Sequence, residues 1–320
     1  MITQFYDFYS IASGILKIFF LLSIGYLLYI RRLIEKKSAD AISNILIWAC
    51  VPALIFTKIT STFDPSEFPG WWFLPICSIG MSFIGACLGY LFQKGLKDFT
   101  SRREFISSCA FQNCGYLPMT LVAFACSGAF CDRILVYIFL FIIGFNITVW
   151  SFTPAFLSKN PKGGFRISAA LNPPVIVTIF SILWVFLVGK DKVPGLIYDP
   201  LLTLGNASFP LALIALGAYL AEYRGYSSKN WKALISCLFV KLILLPAAVF
   251  ILIRYLTLSE SLKFFILLEA TMPVAVSLIV IGQYVNADNK FLSGIIFYSH
   301  LFAIVTIPAW LLVFRNVLGS

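Results

Sequence analysis

Charge is the scarcest feature of this 320-residue chain. Asp, Glu, Lys and Arg make up 12% of it, and it holds one histidine. A fully water-wetted domain carries roughly a quarter of its residues as charges, so an ordinary soluble fold is excluded. There is no HExxH, no GxSxG and no pair of aspartates inside an apolar run, so the chain is not expected to be an enzyme. No GxxxxGK[ST] loop occurs, which argues against a nucleotide-driven pump. The eight cysteines show no CxxC or Cys/His spacing, so no metal and no cofactor are expected. Cys50, Cys77, Cys87, Cys109, Cys114 and Cys237 fall in apolar runs and read as small filler. Cys126 and Cys131 flank one short loop, as a disulfide or as two free thiols. No Ser/Gly-rich linker and no low-complexity tract divides the chain. Residues 1–10 hold no Lys or Arg, so a basic secretory leader is lacking and the first helix is expected to be retained.

What is abundant is apolar sequence: 60% of residues are hydrophobic and the mean hydropathy is +0.92. Ten apolar runs lie near the ~20 residues that a bilayer core requires. They cover about 11–30, 41–60, 71–93, 105–127, 134–157, 173–189, 199–221, 233–256, 263–284 and 291–314. The expected fold is an all-α integral membrane protein of ten transmembrane helices. Fifteen of the 24 Lys and Arg residues fall in alternate loops: Arg31 to Lys37, Lys94 to Arg103, Lys159 to Arg166, Arg224 to Lys232, and Lys290. By the positive-inside rule these loops are cytoplasmic and both termini face outside. The net charge of +10 therefore belongs to membrane loops, and no nucleic acid is expected as a partner. Trp71 and Trp72 fit the outer interfacial belt and Trp231 the inner one.

Prolines mark an internal symmetry. Pro52 and Pro210 lie in spans two and seven, Pro118 and Pro273 in spans four and nine, 66 and 63 residues further on. Two five-span halves, 1–158 and 159–320, account for both spacings. An odd number of spans per half makes the second enter from the opposite side, the inverted repeat of many secondary transporters. The alternative is chance, since membrane helices often carry proline.

The stretch Cys109-Ala-Phe-Gln-Asn-Cys-Gly-Tyr-Leu-Pro118 lies mid-span, yet holds Gln112, Asn113, Gly115 and Pro118. Gly115 permits irregular backbone, and Pro118 lacks a donor and clashes one turn back. A helix should break here, and broken backbone at membrane depth is tolerated only in a protein interior or beside a watery cavity. Span nine has the matching run Glu269-Ala-Thr-Met-Pro273. The candidate substrate-binding residues are Asn113, Cys114, Gly115, Pro118, Thr271, Met272 and Pro273. Such a crossing offers helix-end N–H groups and the Asn113 amide to carboxylate oxygens, and freed carbonyls to a cation. Asn113 also reads as a hydrogen bond between helices, and Thr271 as a back-bond to its own helix. Glu269 is a candidate for coupling to H+ or Na+, or a carboxylate that is interface-solvated or lysine-paired. Lys241 would neutralise Glu269, attract an anion, or serve structural pairing. His300 is a proton relay or a hydrogen-bonded packing residue. Asn44 and Asn146 read as contacts between helices.

These motifs resemble the auxin efflux carrier family, which includes the PIN-formed exporters and bacterial malate or malonate carriers. The resemblance runs in order through Ile24-Gly-Tyr-Leu, Asn113-Cys-Gly-Tyr-Leu-Pro118, Leu171-Asn-Pro-Pro-Val-Ile, Gly205-Asn-Ala-Ser-Phe-Pro-Leu-Ala-Leu-Ile-Ala-Leu-Gly217 and Met272-Pro-Val-Ala-Val. It implies a scaffold of spans 1, 2, 6 and 7, and a transport domain of spans 3–5 and 8–10. Broken spans four and nine cross in that domain beside the substrate, and an elevator-type displacement alternates access. The short connection from Ser158 to Leu171 and the single proline at Pro118 depart from the plant exporters. They favour a bacterial-type carrier of small organic anions in the plasma (inner) membrane over an auxin exporter. The expected partners are a small carboxylate, the lipid bilayer and a second copy packed through the scaffold spans. The competing reading is a membrane receptor or small-molecule sensor on the same fold.

Overall fold

The computed structural model describes residues 8–318 apart from 69, 98, 126–127, 159–170 and 225–229. In chain order the helices are α1 (Phe8–Ile30), α2 (Lys36–Ile45), α3 (Val51–Thr62), α4 (Phe73–Gln93), α5 (Arg102–Ala110), α6 (Tyr116–Ala125), α7 (Ala129–Ser151) and α8 (Thr153–Leu157). There follow α9 (Pro173–Leu187), α10 (Gly195–Asn206), α11 (Ser208–Tyr223), α12 (Trp231–Phe239), α13 (Leu245–Tyr255), α14 (Glu260–Thr271), α15 (Ser277–Tyr284) and α16 (Asn289–Leu318). A π-turn, Leu46–Cys50, joins α2 to α3, and a second, Val240–Leu244, joins α12 to α13.

Among the described residues, seven helical stretches are long and apolar enough to cross a membrane. They are Ser13–Ile30, Lys36–Thr62, Phe73–Gln93, Ala129–Leu157, Gly195–Tyr223, Trp231–Tyr255 and Asn289–Val317. The fourth and ninth apolar runs each form two short helices, and the sixth is the shorter apolar helix α9. Phe83, Leu187, Leu196 and Val305 are each more than two-thirds exposed, a surface suited to lipid and costly in water.

The prolines sit where helices restart. Pro118 lies in the first turn of α6 and Pro210 in that of α11, where no bond to the preceding turn is required. Pro52 and Pro246 occupy the opening turns of α3 and α13, just after the two π-turns. The widened π register absorbs the donor that each proline lacks, so both spans continue.

The chain forms two compact units. The first draws on residues within 1–75, 115–143 and 171–222. Its helices pack through glycine: a Cβ on Gly25 would strike the backbone of Ile214, and one on Gly217 the backbone of Leu22, so α1 and α11 touch main chain to main chain. Gly205 does the same for α10, where a Cβ would lie 2.8 Å from the backbone of Leu54. Lys58 and Asp132 form an ion pair at 2.6 Å. The second unit draws on residues within 76–114, 144–170 and 223–320. Its core gathers Phe105, Phe264, Phe265, Leu267, Phe291 and Ile295, all buried. Here Gly85 lets α4 pack against the Cys109 carbonyl in the last turn of α5.

Cys131 is disulfide-bonded, and Cys126, the partner offered by the sequence, lies outside the described residues. So do Lys159, Lys162, Arg166 and Lys229 of the basic loops. Asn146 is buried, whereas Asn44 is exposed.

Candidate functional site

The site is built where α5 and α14 stop. Helix α5 ends at Ala110 and α14 at Thr271, and each is followed by about one turn's length of extended or irregular backbone. Phe111 and Met272 adopt extended φ/ψ. The two unwound stretches pair with each other as a single antiparallel bridge, Gln112 opposite Val274. The Asn113 N–H donates to the Pro273 carbonyl at 2.8 Å, and the Ala275 N–H donates to the Phe111 carbonyl at 3.1 Å. Two helix ends that would otherwise leave backbone groups unpaired in an apolar interior thus satisfy one another. Pro273 suits this position because it is asked only for its carbonyl.

Side chains from α16 complete the crossing. Ser299 accepts from the Val274 N–H at 3.2 Å and donates to the Ile296 carbonyl at 3.0 Å. His300 lies 3.2 Å from the Asn113 amide through Nε2, and its Nδ1 lies 2.8 Å from the Ile296 carbonyl. The Gln112 amide donates to the Met81 sulfur at 3.1 Å, leaving its oxygen without a hydrogen-bond partner among the described residues. Thr271 donates its hydroxyl to the Leu268 carbonyl at 2.7 Å, the back-bond to its own helix. Cys114 and Met272 are buried, their N–H groups turned to the carbonyls of Gln112 and Glu269.

Two fully buried charges accompany the crossing. Lys241, in the second π-turn, donates to the Cys109 carbonyl at 3.4 Å. That carbonyl belongs to the last turn of α5, so the ammonium sits at the negative end of a half-helix. Glu269 lies in the last turn of α14, and both carboxyl oxygens lack a hydrogen-bond partner among the described residues. Lys241 and Glu269 form no ion pair with each other. Glu269 is fully buried in the protein interior. A lone carboxylate charge in this setting is costly and calls for a cation or a proton.

Of the residues singled out from sequence, the second unit brings together Asn113, Cys114, Thr271, Met272, Pro273, Glu269, Lys241 and His300. Gly115 and Pro118 belong to the first unit. Gly115 lies in the irregular backbone between α5 and α6. Gly115 has no positive φ, and a Cβ there would meet nothing nearer than Ile142 Cδ1 at 3.7 Å. Pro118 lies in the first turn of α6, with the break one turn before it. The helix is interrupted earlier, at 111–115, by the pairing with 273–275. Sequence reasoning missed the roles of Ser299, Met81 and the Cys109 carbonyl. Only Ser299, adjacent to the single histidine, left a trace that could have been followed.

Comparison with known proteins agrees with the apolar architecture. The family model for membrane transport protein matches residues 10–167 and 163–311. An uncharacterised transporter of Methanocaldococcus jannaschii is 25% identical over 305 residues, covering 92% of this chain and 96% of its own. An uncharacterised transporter of Methanothermobacter thermautotrophicus is 26% identical, covering 95% and 98%. Protein PIN-LIKES 1 of Arabidopsis thaliana is 23% identical, covering 95% and 78%.

Proposed function

The chain belongs to the membrane transport protein family, the auxin efflux carrier group, and from that premise we propose that it is a secondary transporter of a small organic carboxylate, malate or malonate in kind. The observation that carries this reading is the bridge between the two helix breaks, with an amide, an imidazole and an ammonium beside it. Carboxylates are bound by N–H donors, amides and cations held in place before the ligand arrives. A buried lysine without an ion-pair partner favours an anion over a cation as cargo. In this proposal spans 3–5 and 8–10 carry the substrate beside the crossing and move as a body against a scaffold of spans 1, 2, 6 and 7, which gives elevator-type alternating access. The basic loops would place both termini outside the plasma membrane.

Glu269 is assigned to coupling, with H+ or Na+ as the ion. The purified protein in liposomes should take up labelled malonate or malate in a saturable manner. Glu269→Gln should lose accumulation driven by an ion gradient and retain exchange. Absence of flux for every monocarboxylate and dicarboxylate tried, with folded protein, contradicts the carboxylate reading. Unchanged accumulation in Glu269→Gln removes Glu269 from coupling.

A further inference from the structure

The contact between Asn113 and His300 fixes the direction of two hydrogen bonds. The Ile296 carbonyl can only accept, so the 2.8 Å contact places a proton on His300 Nδ1. In neutral imidazole the other nitrogen, Nε2, then holds a lone pair and accepts. At 3.2 Å its donor is Nδ2 of Asn113. The amide nitrogen, the atom that would serve a carboxylate, is therefore turned to the histidine. The oxygen Oδ1 is left with no hydrogen-bond partner among the described residues, on a side chain 7% exposed. A carboxylate arriving at the crossing would meet that oxygen, acceptor against acceptor.

A proton on Nε2 reverses the arrangement. Imidazolium donates at both nitrogens, so Asn113 must offer it Oδ1, and Nδ2 turns outward to the carboxylate. We propose that His300 is a positioning residue that orients the Asn113 amide, so that the crossing accepts a carboxylate only together with one proton. The inference rests on the carboxylate reading and assigns its regulation. The proton comes from the solution on the side from which the substrate enters and adds to the Nε2 lone pair. An N–H bond forms at Nε2 as hydronium gives up its proton to leave water, and the Asn113 Nδ2 to Nε2 hydrogen bond is exchanged for Nε2 to Oδ1. The proton offsets one of the negative charges that the carboxylate brings into a low-dielectric interior.

The groups around His300 narrow the choice of proton carrier. Helix α16 packs against α5, α12, the second π-turn, α13, α14 and α15. The titratable or charged side chains these elements bury are Glu104 and Cys109 on α5, Cys237 on α12, Lys241 in the π-turn and Glu269 on α14. Arg254 on α13 and Tyr284 on α15 are exposed, and Cys114 follows Asn113 in the chain. Glu104 accepts from the Asp288 N–H at 2.9 Å, and Lys241 is held by the Cys109 carbonyl. Cys109 and Cys237 face each other with sulfurs 3.6 Å apart. Glu269 is thus the one competitor for the proton.

Malonate binding to the purified full chain decides between them. Isothermal titration in buffers of different ionisation heat should report uptake of one proton per malonate by the wild type. Affinity should fall by about tenfold per pH unit between about pH 7 and 8.5, where malonate stays a dianion. His300→Gln should bind malonate with no proton uptake and a flat pH profile, because either end of its amide can face Asn113 without titrating. Wild-type binding with no proton uptake overturns the inference, whether or not the variant folds. Proton uptake that persists in His300→Gln and vanishes in Glu269→Gln also overturns it, by moving the proton to Glu269. Both outcomes leave the carboxylate reading standing. If the wild type binds neither malonate nor any other carboxylate, that reading fails and this inference fails with it.

Discussion

At the scale of single residues, the crossing is governed by groups that cannot be left unpaired. Asn113 serves twice, its N–H on the Pro273 carbonyl and its amide on His300. Asn113→Ala keeps the first bond and strands the buried histidine nitrogen, so it should destabilise the protein by about 1–3 kcal/mol. Chemical denaturation in detergent measures this. Lys241 and Glu269 form a second unit of account. Removing the ammonium alone, as in Lys241→Met, takes away the donor to the buried Cys109 carbonyl and should cost about 1–3 kcal/mol. In Lys241→Met combined with Glu269→Gln the loss should shrink to less than the sum of the single effects. Strictly additive losses in that double-mutant cycle would show that the two groups do not share a field. Thr271 behaves differently, since its hydroxyl is committed to Leu268. Thr271→Val should therefore affect transport far less than Asn113→Ala.

At the scale of elements, close approach of backbone sets which glycines matter. A Cβ at Gly85 would press into the Cys109 carbonyl and Ala110, where α5 ends and Lys241 is anchored. Gly85→Ala should shift α5, costing about 1–3 kcal/mol and impairing transport. Gly115→Ala, with its nearest neighbour 3.7 Å away, should be nearly neutral in the same assays. This contrast reverses what the sequence suggests, where Gly115 stands inside the polar cluster and Gly85 inside an unbroken apolar run. The two breaks were legible because amide, glycine and proline residues interrupt apolar runs, a pattern with a direct physical cost in lipid. Their mechanism was not, because it is a long-range pairing of residues 111–113 with 273–275, which no local pattern encodes. The π-turns were hidden for a related reason. Pro52 and Pro246 announce a missing donor but not how the helix absorbs it. The Ser299 contact with Val274 joins residues 25 positions apart and depends on the register of α16. Among the described residues, seven stretches long enough to cross a membrane follow directly from apolar length, while α9 and the broken helices fall short of that measure.

At the scale of the whole molecule, the chain is a multi-pass membrane transporter, and the proposed orientation rests on its basic loops. Cysteines introduced at Lys97 and Glu67, on opposite sides by the charge rule, should label differently in intact cells. A membrane-impermeant maleimide should reach Glu67→Cys and spare Lys97→Cys, and the reverse pattern would invert the assigned topology. The pairing of residues 111–113 with 273–275 lies within the second compact unit. The most direct measurement of the central claim is counterflow of labelled malonate in liposomes holding the purified chain and unlabelled malonate, with no ion gradient imposed. The account predicts saturable exchange by the wild type and a rate lower by at least about tenfold, or 1.4 kcal/mol, in folded Asn113→Ala. Exchange by Asn113→Ala at the wild-type rate, with unchanged affinity, would place the substrate elsewhere and contradict the account.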